Sequence, residues 1–243
     1  MSTASKTLVV IPAYNEAEAL PSTLGELRSD QPSLDVVVID DGSADSTADV
    51  ARTMGVRVVQ LPFNLGVGGA VRTGLRYSAE HGYHRTVVFD ADGQHSPDAI
   101  TDLVAAIDAG ADMAVGSRFA GAETTYVTGR GRRRAMRLLS RIVRWSTGRT
   151  FTDTTSGFRA FNHEATDMLA RRYPVEYLAD TVEVLVMMCH DGYEVVEVPV
   201  TMRPRTRGAP SSRSIKLVIN YLRLLIGILA SAWRPRTQKE RNP

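Results

Sequence analysis

The sequence predicts an α/β fold, with a mostly parallel central sheet and helices on both faces. Short runs of apolar, β-branched residues alternate with longer segments of helical periodicity through the first half of the chain. Several of these runs are apolar at four or five successive positions, which is typical of strands buried on both faces, as in parallel sheets. Side chains that can bind ligands follow directly after three of the runs, which is where ligands bind in such sheets.

The order of the elements supports this prediction. Five strands are predicted in the first half, at Thr7–Ile11, Asp35–Asp40, Val56–Leu61, Thr86–Asp90 and Met113–Gly116. The four helices predicted between them are Ala17–Arg28, Ser46–Met54, Gly69–His81 and Pro97–Ala109. In the second half we predict helices at Arg132–Thr147, Asn162–Arg172 and Thr181–His190, and a strand at Tyr193–Val200. Strands that alternate with helices indicate βαβ units.

The length and composition suit one large domain with a short appendage. The chain has 243 residues, of which 43% are hydrophobic and 23% charged, values that are ordinary for a soluble globular protein. We predict one domain over residues 1–214, a C-terminal amphipathic helix over 215–233 and a disordered basic tail over 234–243. The single cysteine, Cys189, excludes a disulfide within the chain. The sequence shows neither a signal-peptide pattern nor an uncharged apolar run of about 18 residues.

The net charge of +2 conceals a strong asymmetry. Residues 128–149 and 201–243 together hold 18 of the 29 basic residues and one of the 27 acidic ones, which leaves 11 basic against 26 acidic residues elsewhere. The rest of the chain therefore carries a net charge of −15. Such polarity predicts anionic partners for the two basic segments, and phosphate groups, a membrane surface and nucleic acid are the alternatives.

An Asp-x-Asp pair follows the fourth predicted strand. On an extended strand end Asp90 and Asp92 would point the same way, and Gln94 would add a neutral oxygen. Oxygen ligands of this kind hold Mg²⁺ or Mn²⁺ beside a diphosphate, where the metal offsets the charge of a leaving group. The alternative is a pair of solvated turn carboxylates that cap the next helix.

Two further motifs lie at strand ends. The run Asp40-Asp41-Gly42-Ser43 follows the second strand, and a carboxylate there can accept hydrogen bonds from a ribose or a base. It can equally be a turn with a helix cap, and both roles can coexist. The glycine-rich segment Asn64–Gly74 opens a helix, where glycines allow a phosphate or sugar to approach closely. Its spacing does not match the dinucleotide-binding fingerprint.

Taken together, six motifs give the chain a family resemblance. In chain order they are Val9–Glu16, Val38–Ser43, Asn64–Gly66, Asp90–His95, Gly116–Arg118 and Thr155–Phe158. They resemble those of the family 2 glycosyltransferases, in the branch that contains dolichyl-phosphate mannose synthases and bacterial polyprenyl-phosphate sugar transferases. The resemblance covers roughly residues 7–215 and implies a GT-A, Rossmann-like domain.

The resemblance also implies roles for individual residues. Those implied to hold the nucleoside are Pro12, Tyr14, Glu16, Ile39, Asp41 and Ser43. Asp90, Ala91 and Asp92 would bind the donor, and Asp90, Asp92 and Gln94 would hold Mg²⁺ or Mn²⁺ with its diphosphate. Arg118, Arg207 and Arg213 match positions that bind donor and acceptor phosphates. Arg213 stands where this branch often has lysine, which keeps the charge and changes the geometry.

Asp180 and Arg118 are the residues predicted to act in catalysis. In relatives that glycosylate a hydroxyl, an acidic residue in the region of Asp180 is the general base. A lipid phosphate is already an anion and needs no base. Asp180 is therefore either a base, a helix cap, or both.

The two basic segments each contain an amphipathic helix. Six arginines lie on the helix predicted at Arg132–Thr147, namely Arg132, Arg133, Arg134, Arg137, Arg141 and Arg144. This helix is either an ordinary solvated surface or one that lies on anionic lipid. The helix predicted at Ile215–Trp233 can pack on the core, lie in the membrane interface or pair with a membrane-protein partner.

The leading functional prediction is an inverting, metal-dependent glycosyltransferase. It would move a sugar from a nucleotide-sugar donor to a polyprenyl phosphate acceptor, as a peripheral protein at the cytoplasmic face of the cell membrane. The alternative is transfer to a saccharide hydroxyl in cell-surface polysaccharide assembly. A nucleotidyltransferase would need a glycine-rich loop with a basic residue after the first strand, where this chain has Pro12–Glu16. No nucleic acid partner is expected, because the sequence shows no aromatic stacking platform.

Overall fold

The structure, a computed structural model, describes residues 6–121, 130–175 and 180–203. Its seven strands are β1 (Thr7–Ala13), β2 (Asp35–Asp40), β3 (Arg57–Gln60), β4 (Arg85–Val88), β5 (Met113–Ser117), β6 (Arg159–Asn162) and β7 (Val195–Pro199). Its helices are α1 (Leu20–Asp30), α2 (Thr47–Thr53), α3 (Val67–Glu80), α4 (Ala99–Asp108), α5 (Arg130–Thr147), α6 (His163–Arg172) and α7 (Asp180–His190). The side chains of α5 are described from residue 136 onward.

The strands form one sheet in the order β3-β2-β1-β4-β6-β5-β7. β1 pairs in parallel with β2 and β4, β2 with β3, and β5 with β7, whereas β6 is antiparallel to both β4 and β5. The prediction of a mostly parallel sheet is thus confirmed. Because β6 runs the other way, its first residue lies at the edge where its neighbours end, and Arg159 pairs with Val88 of β4 and Val115 of β5.

Helices cover both faces of the sheet, as predicted. On one face the buried leucines of α1 and the isoleucines of α4 pack against β1, β2 and β4. On the other face α3, α5, α6 and α7 pack around residues of β4, β5 and β6, with Phe161 and Val115 fully buried. Two apolar layers on opposite faces require strands that are apolar on both sides, which is why β1 and β2 are nearly continuous runs of buried residues.

Two of the boundaries that differ from the predictions, and one strand that was not predicted, have a physical explanation. α1 begins at Leu20 rather than Ala17, because the Ala17 N–H donates to Asp45 and Pro21 stands in the first turn of the helix. β4 ends at Val88, and residues 91–93 form a turn. β6 was not predicted, since it has only four residues and begins with a charged Arg159.

Some predictions fall on residues outside the described part of the chain. These are the segment 204–214, the C-terminal helix over 215–233 and the basic tail over 234–243. Among the helices that the structure does describe, none is long and apolar enough to cross a membrane.

Candidate active site

The predicted site residues that the structure describes converge at one edge of the sheet, where β1, β2, β4 and β5 end; Arg207 and Arg213 are not among them. Two walls can be distinguished there. The loops after β1 and β2 form the first, which we call the polar wall (residues 12–16, 40–47 and 63–66). The loops after β4 and β5, with the start of β6 and of α7, form the second, which we call the charged wall (residues 90–95, 118, 153–159 and 180).

Hydrogen bonds between main chain and side chains join the two loops of the polar wall. The Asn15 N–H donates to Ser43 Oγ over 2.9 Å, and the Ala44 N–H donates to Asn15 Oδ1 over 2.9 Å. The Glu16 N–H donates to Thr47 Oγ1 over 2.9 Å. Asn15 has a φ of 55°, a left-handed conformation that asparagine tolerates better than most residues. The predicted nucleoside ligand Ser43 therefore also fastens the β1 loop.

Two neighbouring aspartates of the polar wall, Asp40 and Asp41, accept hydrogen bonds from different segments. Asp41 Oδ1 accepts a 2.7 Å hydrogen bond from the Leu65 N–H, which anchors the glycine-rich segment. Burial raises the pKa of Asp41, and hydrogen bonds from the Leu65 and Gly66 amides partly oppose that rise. Asp40 is fully buried; its Oδ1 accepts from the Ser43 N–H, and its Oδ2 has no hydrogen-bond partner among the described residues. The sequence singled out Asp41, but Asp40 holds the unsatisfied oxygen.

Gly42 allows the glycine-rich segment to approach closely. Its φ is +68°, and a Cβ at this position would lie 2.6 Å from the carbonyl carbon of Phe63. No side chain fits there without moving main chain. The turn between Asp41 and Ser43 thus brings the end of β2 directly against residues 63–66.

The predicted nucleoside ligands Pro12, Tyr14 and Ile39 differ in the solvent exposure of their side chains. Tyr14 is about half exposed, and Pro12 is partly buried at the end of β1. Ile39 is fully buried and packs with Leu8 and Val10 in the core. The Ile39 side chain therefore faces away from the edge, which limits any contact with a nucleoside to its main chain.

In the charged wall, the loop after β4 carries the Asp-x-Asp pair. Ala91 is buried, and its carbonyl accepts a 2.9 Å hydrogen bond from Thr23 Oγ1, while Asp90 and Asp92 on either side of it are partly exposed. The extended path predicted through Gln94 is wrong, because Gly93 has a φ of +70° and the Gln94 N–H donates to Asp92 Oδ1 over 3.1 Å. Asp92 therefore lies in a turn.

Gln94 is tied to the segment that follows β7. Its carbonyl accepts from the Arg203 N–H over 2.8 Å, and its Nε2 lies 3.4 Å from the Arg203 carbonyl. Arg203 in turn reaches Glu26 over 2.6 Å. The loop that carries the aspartates is thus braced by the last described residues, immediately before the segment that contains Arg207 and Arg213. Those two predicted phosphate ligands lie outside the described residues.

The aspartate pair fits a divalent ion that also binds a diphosphate. Within residues 6–121, 130–175 and 180–203 there is no group of three or more acidic, histidine or cysteine side chains that could hold an ion alone. Mg²⁺ ordinarily takes only one or two carboxylates and completes its shell with phosphate oxygens and water. Gly157 has no side chain to crowd Asp90; a Cβ there would lie 3.4 and 3.5 Å from the two carboxylate oxygens.

Arg118 forms a buried ion pair at the end of β5. Its Nε and Nη2 lie 2.5 and 2.7 Å from the two Asp153 oxygens, and Nη2 also donates to Thr155 Oγ1 over 2.9 Å. Burial alone would raise the pKa of Asp153, but the hydrogen bonds and charge of Arg118 hold that pKa below its usual value. The structure therefore gives Arg118 a role that its motif did not predict, which is to hold residues 153–155 against β5. Its role as a phosphate ligand stays a prediction.

Asp180 begins α7 and is only 3% exposed. Burial raises its pKa, while the charge of Arg159 opposes that rise. Tyr173 is buried near Asp180; burial, and after it the charge of Asp180, raises the pKa of this tyrosine strongly. The predicted role of Asp180 as a base stays a prediction.

Arg159 is a site residue that the sequence analysis did not single out. It is 1% exposed; its Nε donates to the Ser156 carbonyl over 2.8 Å and its Nη2 to the Thr181 carbonyl over 2.7 Å. Its Nη1 is buried and has no partner among the described residues. Burial lowers the pKa of Arg159, and the nearby charges of Asp180, Asp153 and Asp90 raise it. An arginine between two apolar residues, Phe158 and Ala160, was the available signal.

Comparison with known proteins agrees with this architecture. The chain matches the model of glycosyl transferase family 2 over residues 8–170. It is 35% identical over 224 residues to an undecaprenyl-phosphate mannosyltransferase of Micrococcus luteus, covering 84% of this chain and 86% of that protein. It is 31% identical over 210 residues to the polyprenol monophosphomannose synthase of Mycolicibacterium smegmatis, covering 84% and 79%.

A solved structure shows the same fold. Glucosyl-3-phosphoglycerate synthase of Mycobacterium tuberculosis, crystallised with Mn²⁺, UDP-glucose and phosphoglyceric acid, aligns over 96% of this chain and 81% of its own with a TM-score of 0.72. Its sequence is 22% identical, so the likeness concerns the fold alone. Six motifs in order, a sheet with one reversed strand, and the family match lead to one conclusion: the chain belongs to glycosyltransferase family 2 and is a glycosyltransferase with the GT-A fold.

Proposed function

We propose that this enzyme transfers a sugar from a nucleotide-sugar to a polyprenyl phosphate, with inversion and with Mg²⁺ or Mn²⁺. The observation that carries the choice of acceptor is the burial of Asp180, which is 3% exposed and lies near the charge of Arg159. A hydroxyl acceptor needs an accessible base, whereas a phosphate acceptor is already ionised. The names of the relatives from Micrococcus luteus and Mycolicibacterium smegmatis support the same acceptor class.

In this proposal each wall binds a different part of the nucleotide-sugar donor. The polar wall holds the nucleoside through Pro12, Tyr14, Glu16, Asp41 and Ser43, with Ile39 contributing main chain only. The charged wall faces the diphosphate, with Asp90, Asp92 and Gln94 as the residues that would hold the metal. Such an ion, when bound, neutralises charge that develops on the leaving diphosphate.

The reaction itself is a substitution at the anomeric carbon. An oxygen of the acceptor phosphate forms the new bond to that carbon on the face opposite the leaving group. The bond from the carbon to the diphosphate breaks, and its electron pair leaves with the nucleoside diphosphate. Arg118, Arg207 and Arg213 are the cationic residues that we assign to the donor and acceptor phosphates in this step.

An assay with defined acceptors tests this function. We would first screen UDP-, GDP- and dTDP-sugars for thermal stabilisation with Mn²⁺, and then measure transfer to undecaprenyl phosphate in detergent. We expect Asp92→Ala to lower kcat/KM at least about 100-fold and Asp180→Asn to lower it less than about tenfold. Asp98→Ala, an exposed carboxylate on the same segment, is the matched control.

The alternative acceptor would give a different pattern. If the enzyme glycosylates a saccharide hydroxyl, undecaprenyl phosphate would not be consumed, and Asp180→Asn would abolish turnover while donor-induced stabilisation persists. The raised pKa of Asp180 is the observation that keeps this candidate open.

We also propose that α5 lies on the membrane surface. Two of its apolar residues point outward, Leu138 with 58% and Trp145 with 70% exposure, although Leu139 and Val143 on the same helix are buried. Leu138 and Trp145 are seven residues apart and so share one face, beside Arg137, Arg141 and Arg144. An exposed tryptophan next to arginines is typical of helices that lie in the headgroup region of an anionic bilayer.

Flotation with vesicles tests this surface. Vesicles that contain anionic lipid should carry the protein at low salt, and vesicles of neutral lipid should carry much less. The double variant Leu138→Ser, Trp145→Ser should lower binding at least about fivefold, since it removes apolar area that the bilayer would bury. Phe63→Ser, which removes an equally exposed residue elsewhere, is the control. A protein that stays soluble with both lipids would refute a peripheral location at the inner face of the cell membrane.

The helix that the sequence predicts over 215–233 belongs to the same proposal. It is a second candidate for the interface, or for pairing with a membrane-protein partner, and truncation after residue 214 would separate its contribution from that of α5.

A further inference from the structure

Most of the large apolar side chains that are exposed to solvent gather beside the polar wall. Among the side chains that the structure describes, seven are of this kind. Two of them, Leu138 and Trp145, lie on α5. The other five are Tyr14, Phe63, Leu65, Val67 and Val175. Single exposed apolar residues are ordinary on a protein surface, whereas a cluster of them typically marks a binding surface.

Four of these residues surround the first turn of α3, and we call them the apolar rim (Phe63, Leu65, Val67 and Val175). They are 38 to 62% exposed, and Val67 is the first residue of the helix. A Cβ on Gly69 would lie 2.5 Å from the Leu65 Cβ, and a Cβ on Gly68 would lie 3.2 Å from the Val175 Cα. Two successive glycines thus let Leu65 and Val175 pack against the same helical turn.

The apolar rim borders both walls of the candidate site. Phe63 lies against Gly42 in the turn after β2, and the Leu65 N–H donates to Asp41 of the polar wall. Val175 precedes Asp180 of the charged wall by five residues in the chain. A ligand on the rim would therefore lie next to the place where donor and acceptor are proposed to meet.

The segments that form the rim carry no charge. Residues 61–71 and 173–175 contain no acidic or basic residue. Arg72, the next residue of α3, is directed at α6, where its Nε and Nη2 donate to the carbonyls of Ala170 and Arg171 over 3.3 and 2.6 Å. A surface that lies on anionic headgroups has basic residues beside its apolar ones, as α5 does. The rim therefore suits a hydrocarbon chain better than a headgroup layer.

We propose that the apolar rim binds the hydrocarbon chain of the acceptor, at the isoprene units next to its phosphate. This inference rests on the proposed function and deepens it, because it assigns a surface to the part of the acceptor that suits neither wall. α3 and α5 pack in one apolar cluster on the same face of the sheet, with Val71 and Leu139 among its members. A lipid drawn from a bilayer at α5 would reach the rim without crossing the sheet.

Photolabelling of the full chain tests this placement directly. The probe is a polyprenyl phosphate with a diazirine on its second isoprene unit, added together with Mn²⁺ and UDP or GDP. We expect labels on residues 63–67 and 175 that excess undecaprenyl phosphate suppresses. The absence of such labels from the rim would overturn the inference, wherever else the probe reacts, and so would labels that undecaprenyl phosphate does not suppress.

Substitution at the rim tests its contribution to acceptor affinity. The double variant Val67→Ser, Val175→Ser makes the rim more polar and changes no residue of either wall. We expect its KM for undecaprenyl phosphate to rise at least about fivefold, because less apolar area meets the chain, and its KM for the nucleotide-sugar to change less than about twofold. An unchanged acceptor KM, or an equal rise in both KM values, would overturn the inference.

A matched control keeps the rim apolar. The double variant Val67→Ile, Val175→Ile substitutes the same two positions, and its acceptor KM should stay within about twofold of the wild-type value. An acceptor KM raised as much by isoleucine as by serine would show that the shape of the rim, and not its apolar character, matters, which overturns the inference.

Other occupants of the rim would give different results. If the serine variant turns a wild-type dimer into a monomer in analytical ultracentrifugation, the rim is an interface between two copies of the chain and the inference is overturned. If Phe63→Ser lowers vesicle flotation as much as the α5 variant does, the bilayer surface covers the rim, which also overturns it. Should the serine variant not fold, photolabelling of the wild type still decides.

These outcomes also separate the inference from the proposed function. If the enzyme transfers sugar to a saccharide and consumes no undecaprenyl phosphate, the proposed acceptor is refuted and the inference falls with it. Consumption of undecaprenyl phosphate without labels on the rim overturns the inference alone.

Discussion

The polar wall and the charged wall lie at the same edge of the sheet but are held together differently. Neutral bonds between main chain and short side chains join the β1 and β2 loops of the polar wall, as between Asn15 and Ser43, and the Asp41 carboxylate accepts from Leu65 of the third segment. The charged wall depends on buried ionic groups, the pair of Arg118 with Asp153 and the contact of Arg159 with the start of α7. Each neutral bond adds little to stability, whereas a buried charge that loses its partner is strongly destabilising.

The largest effect is expected when the central cation of the charged wall is removed. Arg159→Met leaves the buried Asp180 and Asp153 with less compensating charge and frees the Ser156 and Thr181 carbonyls. We expect a loss of about 3–5 kcal/mol in the free energy of unfolding, measured with urea. Arg52→Met, which breaks an exposed ion pair with Asp49, should cost less than about 1 kcal/mol.

A smaller loss from Arg159→Met than from Arg52→Met would show that the charged wall is not held by its ionic groups.

Within the polar wall, we expect the largest loss of stability from a substitution at Gly42, which lies against the main chain of Phe63. Gly42→Ala combines a φ of +68° with a Cβ 2.6 Å from Phe63 main chain. Gly82→Ala has the same φ of +68° and nothing within 4 Å. In both variants, backbone strain should lower the free energy of unfolding by about 1 kcal/mol. Gly42→Ala should lose a further amount of about 1–3 kcal/mol from the clash.

Urea unfolding of the two glycine variants measures the difference directly, and equal losses would mean that residues 63–66 move away without penalty.

The two walls should respond to pH with opposite signs. Since the pKa of Asp153 is lowered in the folded protein, its contribution to stability is present above its unfolded value of 3.8 and is lost as pH falls through its folded pKa. The pKa of Asp41 is raised, so the folded state binds a proton more tightly and stability falls as pH rises from 3.8 through the folded pKa.

Urea unfolding of Asp153→Asn and Asp41→Asn across that acidic range tests this contrast. Relative to the wild type, Asp153→Asn should be most destabilising at the upper end of the range, and Asp41→Asn should gain relative stability as the pH rises. Parallel pH profiles for the two variants would contradict the contrast.

The smallest effect is expected from a single neutral bond. Ser43→Ala removes the acceptor of the Asn15 N–H and should cost about 0.5–1.5 kcal/mol. Ser46→Ala changes an exposed serine that makes no capping hydrogen bond and should stay within about 0.5 kcal/mol of the wild type. If Ser43 also contacts the nucleoside, Ser43→Ala should raise the KM for the donor as well; an unchanged KM would limit its role to fastening the loop.

Much of the polar wall could be predicted from local sequence. Short polar residues and a glycine directly after a buried strand indicate a turn whose side chains bond to main chain, as found for Asp40 and Ser43. The charged wall was only partly predictable. Asp90, Asp92 and Arg118 were singled out by their motifs. The partner of Arg118, Asp153, lies 35 residues away in the chain, and Arg159, whose pKa the charge of Asp90 raises, lies in a segment that no motif marked.

By itself, the sequence determined the α/β class and the parallel strands, because hydrophobic periodicity and turn residues act over a few positions, and its six motifs indicated the family. Only the tertiary structure decided the place of β6, since four residues carry too little periodicity to indicate a strand. The antiparallel insertion of β6 between β4 and β5 puts Arg159 beside Asp180 and Phe158 against His95. Ionic and packing contacts between distant segments depend on that insertion, and no local pattern encodes them.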